Sequence, residues 1–292
     1  MASAAPMKSF IILNPPFDKM SLHKTEGLIL KSANWSESSQ TITIFTPDMG
    51  KISLNIKGSR RLNGKRGRPL KFARLEINCY MRDGAESGHL SDIEPLEVFL
   101  FERDGQLGRL TFAAAAVELL DNLLTASDPQ GSVYQITLSF LRMTDRIDKK
   151  RLPGLFAGYI LRLISLLGYR PNLVGCVNCG REIQTVETAQ DNNGRHFFSA
   201  ERGGIVCDQC RGTAVTENRM IALSETERFH FLKILESSLE EASHIPISLK
   251  ELNILMNLIT ALLKFHAGTF RGLKSLDFLD KLSRAVKTYG GL

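Results

Sequence analysis

Residues 41–56 read Thr41-Ile-Thr-Ile-Phe-Thr-Pro-Asp-Met-Gly-Lys-Ile-Ser-Leu-Asn-Ile56. Apolar residues alternate with polar ones in both halves of this stretch, at Ile42, Ile44, Ile52, Leu54 and Ile56. Alternation with period two is typical of a β-strand that buries one face. The segment Thr46-Pro-Asp-Met-Gly50 between the halves has Pro and Gly placed for a tight turn. The stretch therefore predicts an antiparallel hairpin.

The same period continues on both sides of this hairpin. Leu75, Ile77 and Cys79 alternate with polar or amphipathic residues, and apolar runs near residues 28–31 and 95–101 predict two more strands. About five short strands between residues 25 and 101 suit a small closed barrel, and the five-stranded OB-fold is the obvious candidate. Cys79 falls on the inward side and is predicted to be part of the core.

Positive charge is concentrated after the third predicted strand. Residues 51–75 hold nine of the 37 Lys and Arg residues and none of the 31 Asp and Glu residues, so the rest of the chain has 28 basic and 31 acidic residues. A glycine-rich cationic loop can follow a phosphate backbone because its cations displace condensed counterions. A merely solvated surface is the alternative interpretation. The predicted nucleic-acid-binding residues are Lys57, Arg60, Arg61, Lys65, Arg66, Arg68 and Lys71.

Aromatic residues of the predicted barrel are candidates for stacking on nucleic-acid bases. They are Trp35, Phe45, Phe72 and Tyr80. Each of them also suits a position in the barrel core, and the pattern favours the core role for each.

After residue 104 the apolar period becomes that of amphipathic helices. The first helix is predicted to end at Ser127-Asp-Pro129, a second to follow it, and a third to occupy residues 155–167 before Gly168 and Pro171. Two pairs with capping-box spacing, Ser224 with Glu227 and Ser248 with Glu251, predict the starts of two further helices. The fold class is therefore α+β, with an N-terminal barrel and a mostly helical second part.

Four cysteines interrupt the helical part as two matching knuckles. They are Cys176-Val-Asn-Cys179 and Cys207-Asp-Gln-Cys210. Each knuckle places two sulfurs on one tight turn, and two such turns supply the tetrahedral sulfur shell that zinc favours. A redox dithiol needs only one knuckle, an iron–sulfur cluster usually has other spacings, and disulfides are rare in the cytosol. We expect one structural Zn²⁺ held by Cys176, Cys179, Cys207 and Cys210, with His196 as an alternative ligand.

These patterns predict four segments along the chain. Residues 1–20 form a flexible extension, and residues 21–103 form an OB-fold domain that binds nucleic acid. Residues 104–172 and 216–292 form a helical domain, and residues 173–215 form a zinc-binding module inserted in it.

Motifs for catalysis and membrane insertion are missing from the sequence. The six histidines do not form an H-E-x-x-H motif, and the sequence has no P-loop and no G-x-S-x-G elbow. No apolar stretch approaches the roughly 20 residues of a membrane helix, and the N-terminus does not look like a signal peptide. The predictions are that the protein is not an enzyme, that it has no membrane partner and that it is cytoplasmic.

The order of these parts resembles the RecO family of bacterial recombination mediators. The likeness covers about residues 20–285 and includes the first strand, the basic loop, both knuckles and the segment between them. The matching stretches are Thr25-Glu-Gly-Leu-Ile-Leu-Lys31, Lys57-Gly-Ser-Arg-Arg61, Pro69-Leu-Lys-Phe72, Leu167-Gly-Tyr-Arg-Pro171, Cys176-Val-Asn-Cys-Gly180, Phe198-Ser-Ala-Glu-Arg-Gly-Gly204 and Leu273-Lys-Ser-Leu-Asp-Phe278.

The resemblance implies a function in DNA repair and recombination after DNA damage. A member of this family would bind single- and double-stranded DNA, promote strand annealing, and help to load recombinase together with RecR and single-stranded DNA-binding protein, whose acidic C-terminal tail would dock on the helical domain. It would be associated with the bacterial nucleoid. A zinc-stabilised adaptor that binds RNA and protein partners is the alternative function.

Overall fold

The computed structural model describes residues 20–34, 39–57, 70–183, 195–211, 220–268 and residue 274. In this structure a β-barrel is followed by helices, and a small second sheet lies between the third and the fifth helix in chain order. No helix in the described parts of the chain combines the length and the apolar character that crossing a bilayer requires.

Five strands close into a barrel in the order β1-β2-β3-β5-β4, which confirms the predicted OB-fold. The side chains with inward positions in the predicted alternation are buried, including Ile42, Ile52, Ile77 and Cys79. The predicted hairpin is present, with β2 and β3 paired antiparallel from Ser39↔Lys57 to Thr46↔Gly50. The strands are β1 (Ser21–Asn34), β2 (Ser39–Thr46), β3 (Gly50–Lys57), β4 (Ala73–Met81) and β5 (Ser87–Val98).

The fifth strand differs from the prediction of a run at residues 95–101. It begins at Ser87 and ends at Val98, because its pairing with β4 extends back to the Met81↔Gly88 pair. Phe99 and Phe101, beyond its end, are buried among the helices and not inside the barrel. Phe99 and Phe101 are therefore apolar because they pack where the barrel meets the helices.

Seven α-helices lie in the described residues that follow the barrel. The three predicted before the cysteines are present, and both predicted capping boxes are formed, at Ser224 with Glu227 and at Ser248 with Glu251. A third capping box, Ser238 with Glu241, opens a short helix that the sequence analysis did not identify. The helices are α1 (Gln106–Leu123), α2 (Gly131–Arg146), α3 (Leu152–Leu166), α4 (Asp208–Arg211), α5 (Glu225–Glu236), α6 (Leu239–His244) and α7 (Leu249–His266).

A second sheet has three antiparallel strands in the order β7-β6-β8. They are β6 (Arg195–Ser199), β7 (Gly204–Val206) and β8 (Met220–Ser224). Because β8 pairs with β6, the sheet reaches into the range 216–292 that was predicted to be helical. Phe198, Ile205 and Leu223 bury their side chains in the same apolar cluster as α3, α5 and α7.

The barrel is joined to the helices by its β2–β3 turn. Gly50 has φ +67°, and a Cβ there would lie 2.4–2.6 Å from backbone atoms of Asp128 in the α1–α2 loop. The amide of Ser127 donates to the Lys51 carbonyl at 3.1 Å, and Lys51 Nζ donates to the Asp121 carbonyl at 2.8 Å. The turn glycine therefore serves a close approach between the barrel and the helices as well as a tight turn.

Candidate metal centre and nucleic-acid interface

The first cysteine knuckle is a tight turn closed by backbone hydrogen bonds. The Gly180 amide donates to the Cys176 carbonyl at 2.9 Å, and the Cys176 amide donates to the Arg181 carbonyl at 2.8 Å. Gly180 has φ +73°, a left-handed conformation that glycine adopts without steric cost. Cys176 is buried and Cys179 is exposed, so the turn directs one sulfur inward and holds the other at the surface.

The second knuckle joins the end of β7 to the short helix α4. The amides of Cys210 and Arg211 both donate to the Cys207 carbonyl at 3.0 Å, which fixes Cys207 and Cys210 on one turn. The guanidinium of Arg211 lies 3.7 Å from the centre of the Phe197 ring, a cation–π contact that packs this turn against β6.

Pairing between the two segments brings the knuckles together. Asn172, just before the first knuckle, exchanges hydrogen bonds with Gly203 and Ile205 at 2.9 Å each, and the Val177 amide donates to the Ile205 carbonyl at 2.8 Å. Gly204 sits inside this contact, where a Cβ would meet Val177 Cγ1 at 2.3 Å and the Asn172 carbonyl oxygen at 2.8 Å. The first knuckle can lie against β7 only because residue 204 has no side chain.

The structure brings all four predicted sulfurs into one group. Their Sγ atoms lie within 4.8 Å of one another, and Cys179 Sγ is 3.8 Å from Cys207 Sγ. Four Zn–S bonds of about 2.3 Å in tetrahedral geometry would separate the sulfurs by about 3.8 Å. The donors and their spacing could therefore hold a metal ion, and they fit zinc. Four sulfurs would leave zinc no open coordination position.

The protein environment favours a thiolate at Cys176. Burial alone would raise the pKa of Cys176, but the backbone amides of Cys207, Cys179 and Asn178 donate hydrogen bonds to the sulfur and lower its pKa to about 6. A hydrogen bond from the Asn178 side chain lowers the pKa of Cys210, but hydrogen bonding with Cys207, burial and the other two sulfurs raise it to about 11. Four close sulfurs without a cation thus resist full deprotonation, and binding of a cation would release their protons.

A buried ion pair connects this module to the helices. Arg228 of α5 is fully buried and donates to the Leu173 carbonyl at 2.9 Å and to Glu225 Oε1 at 2.8 Å. The other carboxylate oxygen of Glu225 contacts His196 Nε2. His196 is outside the sulfur group and is held by this carboxylate, so the structure does not support it as an alternative ligand. No sequence pattern marks Arg228 as buried, because an arginine on a helix normally indicates an exposed face.

The predicted DNA-binding residues fall mostly outside the described part of the chain. Arg60, Arg61, Lys65, Arg66 and Arg68 lie there. Lys57 is the last residue of β3, and Lys71 is exposed just before β4. Two further cations of residues 51–75 make internal contacts: Lys51 lies 3.7 Å from the Asp121 carboxylate, and Arg74 lies 2.5 Å from that of Glu26.

The structure shows which of the stacking candidates in the described residues are buried and which is exposed. Phe45 is fully buried, and Phe72 packs edge-on against Phe101 with ring centres 5.5 Å apart, so both belong to the interior. Trp35 lies outside the described residues. Tyr80 is 44% exposed on the outside of the barrel and is the candidate placed to meet a ligand.

A cavity of about 410 Å³ opens on the helical part between α5 and the segment that follows α6. Phe229, Ile245 and Pro246 supply apolar walls, and His230 and Lys233 supply nitrogen atoms. His230 Nδ1 is 2.7 Å from Glu251 Oε1, which fixes its ring at the cavity wall. No sequence motif marks this cavity, because it depends on how α5 and α6 pack.

Two family models together match almost the whole described chain. The model described as Recombination protein O N terminal matches residues 20–99, and the model described as Recombination protein O C terminal matches residues 105–277. The boundary between the matches falls where the barrel gives way to α1.

Curated relatives match over similar lengths and carry the description DNA repair protein RecO. The Symbiobacterium thermophilum protein is 28% identical over 270 residues, covering 91% of this chain and 100% of the relative. The Pelobacter propionicus protein is 26% identical over 266 residues, covering 89% of this chain and 97% of the relative. The Acetivibrio thermocellus protein is 26% identical over 241 residues, covering 77% of this chain and 89% of the relative.

Proposed function

This chain belongs to the RecO family of DNA repair proteins, and we propose that it is a non-enzymatic recombination mediator. In this role it binds single- and double-stranded DNA, promotes annealing of complementary strands and helps to load recombinase. The observation that carries the proposal is the continuity between an OB-fold barrel and a segment of concentrated positive charge, since β3 ends at Lys57, where this segment continues.

Annealing needs no covalent chemistry from the protein. Two strands approach slowly because their phosphate backbones repel each other, and cations that neutralise both backbones lower that barrier. Base edges must stay free to pair, so contacts with phosphates serve this purpose better than contacts with bases. The segment of residues 57–71, with seven basic and no acidic residues, meets this requirement.

The metal in this proposal is one structural Zn²⁺. Cys176, Cys179, Cys207 and Cys210 would hold it, and the ion would cross-link the segment before β6 to the segment after β7. The hydrogen bond from the Cys207 amide to Cys176 Sγ, at 3.3 Å, orients a ligand sulfur from the opposite knuckle. The ion stabilises the fold, and DNA contacts are made elsewhere.

The proposed partners are RecR and single-stranded DNA-binding protein, with the bacterial nucleoid as the place of action. For an acidic tail such as that of single-stranded DNA-binding protein, the cavity beside α5 offers apolar walls and Lys233, and the Glu241 carboxylate in its lining accepts a hydrogen bond from the Ser238 amide at 2.8 Å. An apolar end of the tail would fill the cavity while its carboxylates meet this cation.

The proposal is tested by strand annealing between two complementary DNA oligonucleotides. The wild-type protein should accelerate annealing, and its affinity for single strands should fall with salt. If four to six phosphates are engaged, the slope of log affinity against log salt should be about −3 to −4. Replacing Arg60, Arg61, Lys65 and Arg66 with Ala should make the slope shallower and slow annealing.

The matched control replaces four exposed cations of the helical part with Ala, which removes the same net charge. These are Lys150, Arg170, Lys250 and Lys264. The control should keep the wild-type slope and annealing rate. A flat salt dependence, or the same loss in the control as in the loop variant, would refute the assignment of DNA binding to this loop. Binding of RNA without acceleration of DNA annealing would favour an RNA adaptor instead.

A further inference from the structure

A row of exposed side chains crosses the outside of the barrel at one end of β4. Tyr80 stands opposite Leu22 of β1 on one side and opposite His89 of β5 on the other. Tyr80 is 44% exposed and Leu22 is 58% exposed, whereas the flanking Cys79 is fully buried. His89 is exposed as well. The two rings occupy directly opposed positions at the base of the β4–β5 loop, where cross-strand neighbours lie within contact distance of a common ligand.

The row continues onto a neutral polar face. His89 stands beside Asn55 of β3, and Asn55 stands opposite Thr41 of β2, whose hydroxyl donates to Asn55 Oδ1 at 2.8 Å. Thr43 and Ser53 form the next outward pair on the same two strands. Hydroxyl and amide groups can bind phosphates or bases without the repulsion that a carboxylate imposes on a polyanion.

Further along the outer face of β4 the strands carry glutamates. Glu26, Glu76 and Glu94 stand in register across β1, β4 and β5, and Arg74 pairs with Glu26 while Lys24 pairs with Glu76. Asp83 of the β4–β5 turn lies within 3.4 Å of the Ser21 hydroxyl and 3.7 Å of His23 Nε2, so it also belongs to the β1 side. Glu86, on the same turn, borders the neutral face at its end. Strands β2 and β3 contain no Asp or Glu, so a polyanion that reaches Tyr80 meets less repulsion across β3 than along β4.

We propose that Tyr80 and His89 form a stacking platform for unpaired bases of a single-stranded nucleic acid, whose backbone then crosses β3 and β2. The inference rests on the proposed function and deepens it, because it names the residues that recognise unpaired bases. OB-folds bind oligonucleotides with strands 2 and 3 and with the loops 1–2 and 4–5, and this row joins the 4–5 loop to those two strands. Duplex bases are stacked on each other and cannot use the platform.

The test compares Tyr80→Ala and Tyr80→Phe with the wild-type protein, using an oligo-dT 20-mer, a duplex of the same length and an abasic 20-mer. Loss of one stacked base typically corresponds to about 1–3 kcal/mol, so Tyr80→Ala should weaken oligo-dT binding roughly 5- to 150-fold. Tyr80→Phe should stay within about twofold, since it keeps the ring. Affinity for the duplex and for the abasic strand should not change, and neither should the salt slope, because stacking releases no counterions.

Phe265→Ala is the matched control, since this ring on α7 is similarly exposed, at 46%. It should bind every probe as the wild-type protein does. If wild-type protein binds oligo-dT but Tyr80→Ala binds it equally well, the platform is wrong and the proposed function stands. Equal weakening for oligo-dT and the abasic strand would also overturn the platform, because it would indicate a backbone contact. If wild-type protein binds none of the three probes, both proposals fail.

Discussion

At the scale of single residues, the most deeply buried ion pair of the described residues lies on α5 beside the cysteine knuckles. The side chain of Arg228 has no exposed surface, and that of Glu225 is 13% exposed. Burying a cation is costly unless a carboxylate and further acceptors surround it, which Glu225 and the Leu173 carbonyl do here. The pair therefore constrains which segments can pack together, whatever its net contribution to stability.

Glu225→Gln should destabilise the protein by about 3 kcal/mol at neutral pH, because it leaves the guanidinium of Arg228 buried without a counter-charge. Equilibrium urea unfolding measures this change. Glu240→Gln is the control: Glu240 pairs with Arg151 at 2.6 Å but its side chain is 62% exposed, so its loss should cost less than about 1 kcal/mol. Equal costs for the two variants would contradict the importance of burial.

The same pair predicts a dependence on pH. Burial would raise the pKa of Glu225, but hydrogen bonds with the side chains of Arg228 and His196 outweigh it and lower the pKa below its ordinary value of 4.5. Its stabilising contribution is therefore complete above about pH 4.5 and is lost as the pH falls through the lowered folded-state value. The difference in unfolding free energy between wild type and Glu225→Gln should be largest near pH 7 and shrink towards pH 3. A difference that grows in acid would contradict this assignment.

At the scale of elements, α3 and α6 approach closely because α3 presents two glycines to α6. A Cβ on Gly154 would lie 2.7 Å from the carbonyl oxygens of Ala242 and Ile245, and a Cβ on Gly158 would lie 2.6 Å from Ala242 Cβ. Glycine within a helix costs about 0.5–1 kcal/mol relative to alanine. The close contact explains why alanine, the better helix former, does not occupy these positions.

Gly158→Ala should destabilise the protein by about 1–3 kcal/mol because the new methyl group clashes with Ala242. Adding Ala242→Gly removes the opposing methyl group, so the double variant should be more stable than the sum of the two single changes predicts, by at least about 0.5 kcal/mol. Urea unfolding of the four proteins of this cycle measures the coupling. Gly108→Ala on α1 is the control, since its Cβ would meet only Leu152 Cδ1 at 4.0 Å, and it should stabilise the protein slightly. Strict additivity would refute the contact.

The elements show what sequence periodicity can and cannot predict. Inward positions such as Ile42 and Cys79 were predictable because one buried face imposes period two on a strand. The start of β5 was not predictable, because His89, Ser91 and Asp92 give no apolar alternation there. The pairing of β5 with β4 decides where the strand begins. The short strands β7 and β8 depend likewise on the neighbouring β6, and the Ser238 capping box opens a helix of six residues, too short for a period to show.

At the scale of the whole molecule, some parts of the candidate site could be predicted from the sequence and others could not. Four cysteines in two knuckles identify their ligand group directly, because each knuckle specifies a local turn and only the turns have to meet. The sequence could not show which of Tyr80 and Phe45 is an exposed stacking ring and which is a core residue. Both follow the strand pattern, and only the closed barrel shows which side faces solvent. Arg228 and the cavity beside α5 arise from packing between distant segments, which one sequence does not display.

The described residues contain two apolar clusters with different relations to the candidate metal centre. One fills the barrel, with Ile44, Leu54 and Ile77 among its members. The other runs through the helices and includes Phe198 and Leu223 of the second sheet. Loss of the metal should therefore loosen the helical cluster first, since the knuckles hold that sheet in place, while the barrel interior keeps its own contacts.

Removing zinc with a chelator should lower the melting temperature but leave DNA binding within about threefold of the metal-loaded protein, when both are measured below the melting temperature of the metal-free form. Metal analysis should find one zinc per chain before treatment. After it, thiol titration of the folded protein should find Cys179, Cys207 and Cys210 reactive, since none of them is buried. Cys79 is fully buried, with a pKa raised to about 11 chiefly by that burial, and should react only on unfolding. If DNA binding disappears while the chain remains folded, the metal module itself contacts DNA, and the separation between a stabilising centre and a DNA-binding barrel is wrong.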